Sequence, residues 1–140
     1  MPMRYLALAT DYDGTIAHHG VVSESTIHSL EACRNSGRKL ILVTGRELED
    51  LFRVFPKPEL FDRIVAENGA LVYDPATREM TTLGERPSER FVSLLKERCV
   101  GPMSVGHVIV ATWHPHENAV LEAIRDLGLE LQVIFNKGAV

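Results

Sequence analysis

The run Tyr5-Leu6-Ala7-Leu8-Ala9-Thr10 is apolar without alternation and passes directly into Asp11-Tyr12-Asp13-Gly14-Thr15. An unalternated run of this length predicts a strand buried on both faces, with the two aspartates emerging at its carboxyl end. Ser23-Glu24 then opens a stretch that sets Ile27, Leu30 and Cys33 on one helical face and stops at Gly37, the pattern of a capped amphipathic helix. Leu40-Ile41-Leu42-Val43 is a second continuous apolar run, again predicting a strand covered on both faces. Strand, helix and strand in this order imply a right-handed parallel crossover, so Asp11 and Thr44 are expected to end neighbouring parallel strands.

Leu48, Leu51, Phe52 and Phe55 predict a second helix, stopped by Pro56 and Pro58, and Ile64-Val65-Ala66 predicts a third strand. Asn68-Gly69, ahead of Ala70-Leu71-Val72-Tyr73, is a tight-turn signal, and Asp74-Pro75-Ala76-Thr77 is another before a strand from Met80 to Leu83. From there the spacing predicts a helix from Ser88 to Cys99, a strand from Val108 to Thr112, a helix from Pro115 to Leu127 stopped by Gly128, and a strand from Leu129 to Phe135. Phe91, Leu94 and Leu95, like Ile124 and Leu127, have the spacing of helix core faces. The fold class expected is α/β: part of a Rossmann-like parallel sheet over residues 1–73, followed by a small α+β module over residues 74–140.

Composition narrows the classes of function. The 140 residues are 45% hydrophobic and 24% charged, the balance of a soluble globular chain. A formal net charge of -4, with lysines and arginines scattered, offers no field for a polyanion, so nucleic acid is not an expected partner. Met1-Pro2-Met3-Arg4 leads into a run too short for a signal-peptide core, and no apolar stretch approaches the roughly 18 residues of a membrane span. A cytoplasmic protein without membrane association is expected. Cys33 and Cys99 belong to no C-x-x-C and read as reduced thiols.

In open parallel sheets ligands bind outside the carboxyl ends of the strands, which is where Asp11, Asp13 and Thr44-Gly45-Arg46 are expected to lie. The strand followed by D-x-D-G-T, the strand ending in T-G-R, and Glu67-Asn68-Gly69-Ala70 together resemble the haloacid dehalogenase superfamily, in its Cof-like and sucrose-phosphatase-like branch. The resemblance is specific over Tyr5 to Ala70; from Asp74 onward the α+β pattern is compatible with the cap module that the family inserts after its third strand.

The resemblance implies a Mg²⁺-dependent phosphatase that hydrolyses a phosphate monoester through an aspartyl-phosphate. A carboxylate such as Asp11 can attack phosphorus and split one difficult hydrolysis into two steps, provided a cation offsets its repulsion from the phosphate. Mg²⁺ suits hard oxygen ligands, and by resemblance Asp11 supplies a carboxylate oxygen and Asp13 its backbone carbonyl. Asp13 would protonate the leaving oxygen and then activate water, a turn at Gly14 would aim the two carboxylates apart, and Thr15 would buttress the loop. Thr44 and Gly45 would bind the phosphate, Arg46 would pair with an anionic substrate or a cap residue, and Asn68 would contact substrate from the edge of the site. The partner implied is a small phosphorylated substrate such as a sugar phosphate. For Asn68-Gly69 a plain hairpin turn is an equal reading.

Departures from the family pattern limit the carry-over. No Gly-Asp pair follows Gly69, so the later acidic motif that completes the metal shell is missing, and the expected phosphate-neutralising lysine has a candidate in Lys137 of Asn136-Lys137-Gly138, which reads rather as a turn residue outside the site. The expectation is the amino-terminal part of a longer enzyme, poor in turnover alone, whose open sheet edge favours association with another copy of the chain. The alternative is a non-catalytic module that binds phosphate or Mg²⁺ or serves assembly. Asp-x-Asp-Gly-Thr does not continue as a calcium loop, since the later glutamate is absent. His114-Pro115-His116-Glu117 reads as a helix start with proline in its first turn, and His18-His19-Gly20 as a solvated loop.

Overall fold

A computed structural model describes residues 2 and 4–140. Met1 and Met3, in the short lead-in noted above, lie outside the described residues. The chain divides into two compact units, Met1–Gly84 and Glu85–Val140.

In the first unit, β1 (Ala7–Asp11) is followed by a hairpin of β2 (Ala17–His18) and β3 (Val21–Val22), then by α1 (Glu24–Asn35), β4 (Lys39–Val43), α2 (Leu48–Val54), β5 (Arg63–Ala66), β6 (Leu71–Tyr73) and β7 (Met80–Thr82). The main sheet runs β1-β4-β5-β6-β7. Its first three strands are parallel, and β6 and β7 return antiparallel. Asp11 is level with Val43, and Val43 with Val65, so the loops that follow β1, β4 and β5 leave the sheet side by side. This is the mainly parallel α/β architecture expected.

The local chemistry explains the elements. The Ser23 hydroxyl accepts from the Thr26 amide at 3.3 Å, capping α1, whose Leu30 is buried; Gly37, at φ 89°, takes the left-handed conformation that releases the chain toward β4. Leu48, Leu51 and Phe55 place α2 on the same apolar cluster as Leu30, Leu40, Leu42 and Ile64. Edge-to-face contacts from Phe55 to Tyr12 and to Phe61, with centroids 5.8 and 5.9 Å apart, cross its centre.

Burial departs from the sequence reading in two places. β1 is exposed, with Tyr5 and Leu6 ahead of it at 65% and 67% exposure, because it is the outermost strand and has β4 as its one neighbour in the sheet. β4 is covered on one face: Leu40 and Leu42 are buried while Val43 is exposed, since the residues of both helices that join the core share a cluster with Leu40 and Leu42. The expected domain boundary at 73/74 falls inside the β6–β7 hairpin, where Asp74 Oδ1 accepts from the Ala76 amide at 2.9 Å, and β7 extends the main sheet.

The second unit contains α3 (Glu89–Glu97), β8 (Ser104–Val105), β9 (Val110–Ala111) and α4 (Glu117–Asp126). Phe91 and Leu95 of α3 meet Val120 and Ala123 of α4 in a separate core. The strand expected over Leu129–Phe135 does not form: among the described residues it joins no ladder, and Leu129 and Val133 pack on this core instead. Pairing falls further on, where Thr112 and Val140 exchange hydrogen bonds of 2.8 Å and the His114 amide donates to the Gly138 carbonyl. Pro115 precedes His116, the residue that caps α4, and so lies outside the first helical turn. No helix among the described residues is long and apolar enough to cross a membrane.

Asp62 ties the starts of β4 and β5 together. Its amide donates to the Leu40 carbonyl at 2.8 Å and its Oδ2 accepts from the Leu40 amide at 2.9 Å. That backbone donor, with Lys39 adding its charge, holds the Asp62 carboxyl below the usual aspartate range. A carboxyl that binds its proton more weakly in the folded chain contributes stability above its unfolded value and loses it as pH falls through the lower folded value. Asp62→Ala should therefore cost about 1–2 kcal/mol at neutral pH, with the difference from the native chain shrinking as pH falls through the lowered folded value. Urea melts across that range check it; a gap that does not change with pH would assign the loss to packing alone.

Candidate active site

Tyr12 decides how the first loop is presented. Between two exposed aspartates it is wholly buried, its ring edge-on to Phe55 and its hydroxyl donating to the Gly20 carbonyl at 2.7 Å. Burial raises the hydroxyl's pKa, against an opposing effect of Arg46. With the middle residue fixed inward, Asp11 and Asp13 are exposed on the loop above it. The Tyr12 carbonyl accepts from the amides of Thr15, Ile16 and Ala17 at 3.3, 3.1 and 3.0 Å, and Gly14, at φ 77°, makes the turn that this convergence requires. The Thr15 hydroxyl donates to Asp11 Oδ2 at 3.2 Å, the buttress anticipated from the sequence.

Thr44 is buried at the end of β4. Its amide donates to the Val65 carbonyl at 2.8 Å and its Oγ1 accepts from the Arg46 amide at 3.1 Å. The loop after β5 is laced to this one, the Glu67 amide donating to the Arg46 carbonyl at 3.0 Å and the Asn68 amide to the Thr44 carbonyl at 3.3 Å. Glu67, Asn68 and Gly69 all have positive φ, at 51°, 57° and 93°. Gly45 is needed for a different reason: a Cβ there would stand 2.7 Å from Asn68 Oδ1.

Arg46 joins the two loops. Its Nε donates to Asp13 Oδ2 at 2.7 Å and its Nη2 to Asp13 Oδ1 at 2.9 Å, a two-pronged ion pair, while Nη1 reaches Asp50 Oδ2 at 2.7 Å. The guanidinium lies 5.7 Å from the Tyr12 ring centroid. Its pKa is raised, chiefly by the hydrogen bonds to Asp13, with burial opposing and Asp50 adding support. The sequence reading gave Arg46 to a substrate or a cap residue; here its charge is turned on Asp13 and Asp50.

Direct contacts thus connect Asp13 with Arg46, Arg46 with Thr44, and Thr44 with Asn68, whose amide occupies the space a side chain at Gly45 would need, and Asp11 stands two residues from Asp13 on the same loop. Lys137, at φ 49°, sits in the Asn136–Ala139 turn of the second unit, where the Asn136 amide donates to the Ala139 carbonyl at 3.1 Å. His114 Nδ1 lies 3.0 Å from Glu117 Oε2, and His116 Nε2 lies 2.9 Å from the Gly101 carbonyl. Sequence reasoning passed over Tyr12, Asp50 and the buried Glu67. An aromatic residue between two aspartates at a strand end was a usable signal for the first, whereas Asp50 and Glu67 read as ordinary polar residues of a helix and a turn.

The oxygen donors around Asp11 suit a hard cation. Mg²⁺ keeps several waters and takes one or two protein oxygens besides the phosphate, and the exposed Asp11 carboxylate meets that need. The Asp13 carboxylate is directed at Arg46, which is consistent with its backbone carbonyl as the second ligand. Among the described residues no group of three or more His, Cys, Asp or Glu side chains could hold a metal, so the fit is to a partial shell.

Comparison with known proteins gives the family to which the chain belongs. The family model for haloacid dehalogenase-like hydrolases matches residues 8–112. YxeH of Bacillus subtilis (strain 168) is 34% identical over 82 residues, 56% of this chain and 30% of YxeH. The 5-amino-6-(5-phospho-D-ribitylamino)uracil phosphatase YitU of the same strain is 32% identical over 69 residues, 49% of this chain and 26% of YitU. The solved structure of BT4131, a subclass IIB sugar phosphatase of the superfamily, aligns at 26% identity with a TM-score of 0.53, over 91% of this chain and 50% of that one. The matched regions span under a third of each of these curated relatives and half of the solved structure.

The Gly45 and Asn68 contact makes a specific prediction. Gly45→Ala should cost about 1 kcal/mol in the native background and markedly less when combined with Asn68→Gly, which keeps the positive φ and removes the amide. A double-mutant cycle from denaturant melts reads the coupling, and additive losses would show that Asn68 is not what meets the new methyl group.

Proposed function

Because the chain belongs to the haloacid dehalogenase-like hydrolases, we propose that the protein is a Mg²⁺-dependent phosphatase of small phosphomonoesters, a sugar phosphate among them, acting in the cytoplasm with Asp11 as nucleophile. One observation carries the reading: Asp11 and Asp13 flank a buried anchor that follows β1, and Thr44 follows the adjacent parallel β4, whose Val43 is level with Asp11. The names of YitU and BT4131 support the substrate class.

Asp11 attacks phosphorus, the bond to the leaving oxygen breaks, and an aspartyl-phosphate remains for water to hydrolyse. Thr15 orients the attacking carboxylate through its 3.2 Å hydrogen bond. The Thr44 hydroxyl oxygen accepts from the Arg46 amide, an arrangement that lets the hydroxyl proton be donated to a phosphate oxygen. Asn68 extends an amide toward the same loop. Asp11 and the Asp13 carbonyl would hold Mg²⁺, which when bound neutralises charge on the phosphate.

Asp13 serves as acid and then as base. Gripped by Arg46 it is a carboxylate, the form that takes a proton from water in the second step. To donate to the leaving oxygen first, it must bind a proton while the Arg46 fork loosens. Occupancy of the site by a phosphate dianion gives the guanidinium a competing anion and favours that loosening.

Hydrolysis of an aryl phosphate in the presence of Mg²⁺, followed for this chain and for a longer chain of the length of its relatives, tests the reading. Turnover is expected to be greater in the longer chain, and Asp11→Asn should lower it by roughly 10³-fold or more while the chain stays folded. Full turnover by Asp11→Asn would remove the nucleophile from this position, and turnover in neither chain would favour a phosphate-binding module.

A further inference from the structure

Asp50 touches neither Asp11 nor Asp13 in any contact described above, yet the geometry points to it as a positioning residue for Asp13, acting through Arg46. A guanidinium has two edges that can each bind a carboxylate. Here Nε and Nη2 form one edge and hold both oxygens of Asp13, and Nη1 on the opposite side holds Asp50 Oδ2 at 2.7 Å.

Two further groups lie close to the guanidinium, and the Arg46 side chain keeps 25% exposure. The Tyr12 ring lies on one side, with its centroid 5.7 Å from the guanidinium carbon. Gly20, at φ 81°, lies on another, where an added Cβ would come within 3.4 Å of Nη2. Asp50 is the anchor of this cage because it rides on α2, a packed helix whose Leu48 and Leu51 are buried, and because Arg53 Nη2 holds its other oxygen at 3.4 Å. Asp13, by contrast, stands on a loop.

The consequence is a direction of control. A loop carboxylate and a long flexible cation, paired only with each other, can swing together and keep both hydrogen bonds. Fixing the far edge of the cation to a helix removes that freedom and defines where the Asp13 oxygens sit. An ordinary i,i+4 pair on a helix surface would stabilise α2 slightly and do nothing to Asp13. The value of this placement to catalysis rests on the acid and base role proposed for Asp13; the mechanical link does not.

The Arg46 Nε–H resonance in ¹H–¹⁵N spectra separates the two, because Nε donates to Asp13 and not to Asp50. In the native chain it should be dispersed and slow to exchange. Asp50→Ala should shift it and speed its exchange, and Asp50→Glu should restore it in part; Asp50→Asn gives the same reading should the alanine variant unfold. A resonance unmoved by Asp50→Ala or Asp50→Asn, with only the melting temperature lowered, overturns the proposal. With turnover of an aryl phosphate as a second readout, Asp50→Ala should lower kcat roughly ten- to a hundredfold at near-constant KM. A raised KM with kcat kept would overturn it by making Asp50 a binding residue. Full turnover by Asp13→Asn, with the resonance still responding to Asp50, would instead defeat the role given to Asp13 and leave the link standing.

Discussion

The arrangement depends on the burial of one side chain, Tyr12. A residue that follows a strand and sits between two carboxylates would ordinarily share their solvent exposure, but the Tyr12 ring is enclosed against Phe55 and its hydroxyl is satisfied by Gly20. Burying an aromatic ring is worth on the order of 2 kcal/mol, more than the cost of bending a glycine-containing loop around it. The polypeptide on either side then has little choice: the aspartates go outward, the Tyr12 carbonyl gathers three amides, and the β2–β3 hairpin is drawn back to supply the acceptor at Gly20.

Upon this anchor the three loops are interlocked by different forces. The first loop is tied to the second by charge, through Arg46, and the second to the third by backbone hydrogen bonds from Glu67 and Asn68. Level strand ends make this possible, since loops leaving a sheet at different heights could not exchange amide hydrogen bonds of about 3 Å. The three loops therefore rest on a framework whose stability comes from elsewhere, chiefly the cluster shared by α1, α2 and the inward residues of β4 and β5.

Much of this was legible in the chain. Local signals that act over a few residues were read well: Ser23 as a cap, Gly37 as a stop, Asn68-Gly69 as the turn of a hairpin, and Asp11 and Thr44 as ends of adjacent strands. Errors arose where the outcome depends on neighbours that a local pattern cannot reveal. Leu8 and Val43 look like core residues because they are apolar, and they are exposed because a strand edge and an open sheet face leave them uncovered. Leu129 to Phe135 has the alternation of a strand and, among the described residues, no partner strand beside it. The partners of Arg46 could not be read from the chain, since an ion pair spanning 33 positions has no signature in spacing.

The meeting of Gly45 with the Asn68 amide has a consequence for how such a sequence can diverge. The room that one position gives up is the room the other occupies, so neither can drift freely. A side chain added at residue 45 would have to be met by a shift of the Asn68 amide, and a smaller residue at 68 would relieve it. The two positions are therefore coupled through space, although 22 residues separate them in the chain.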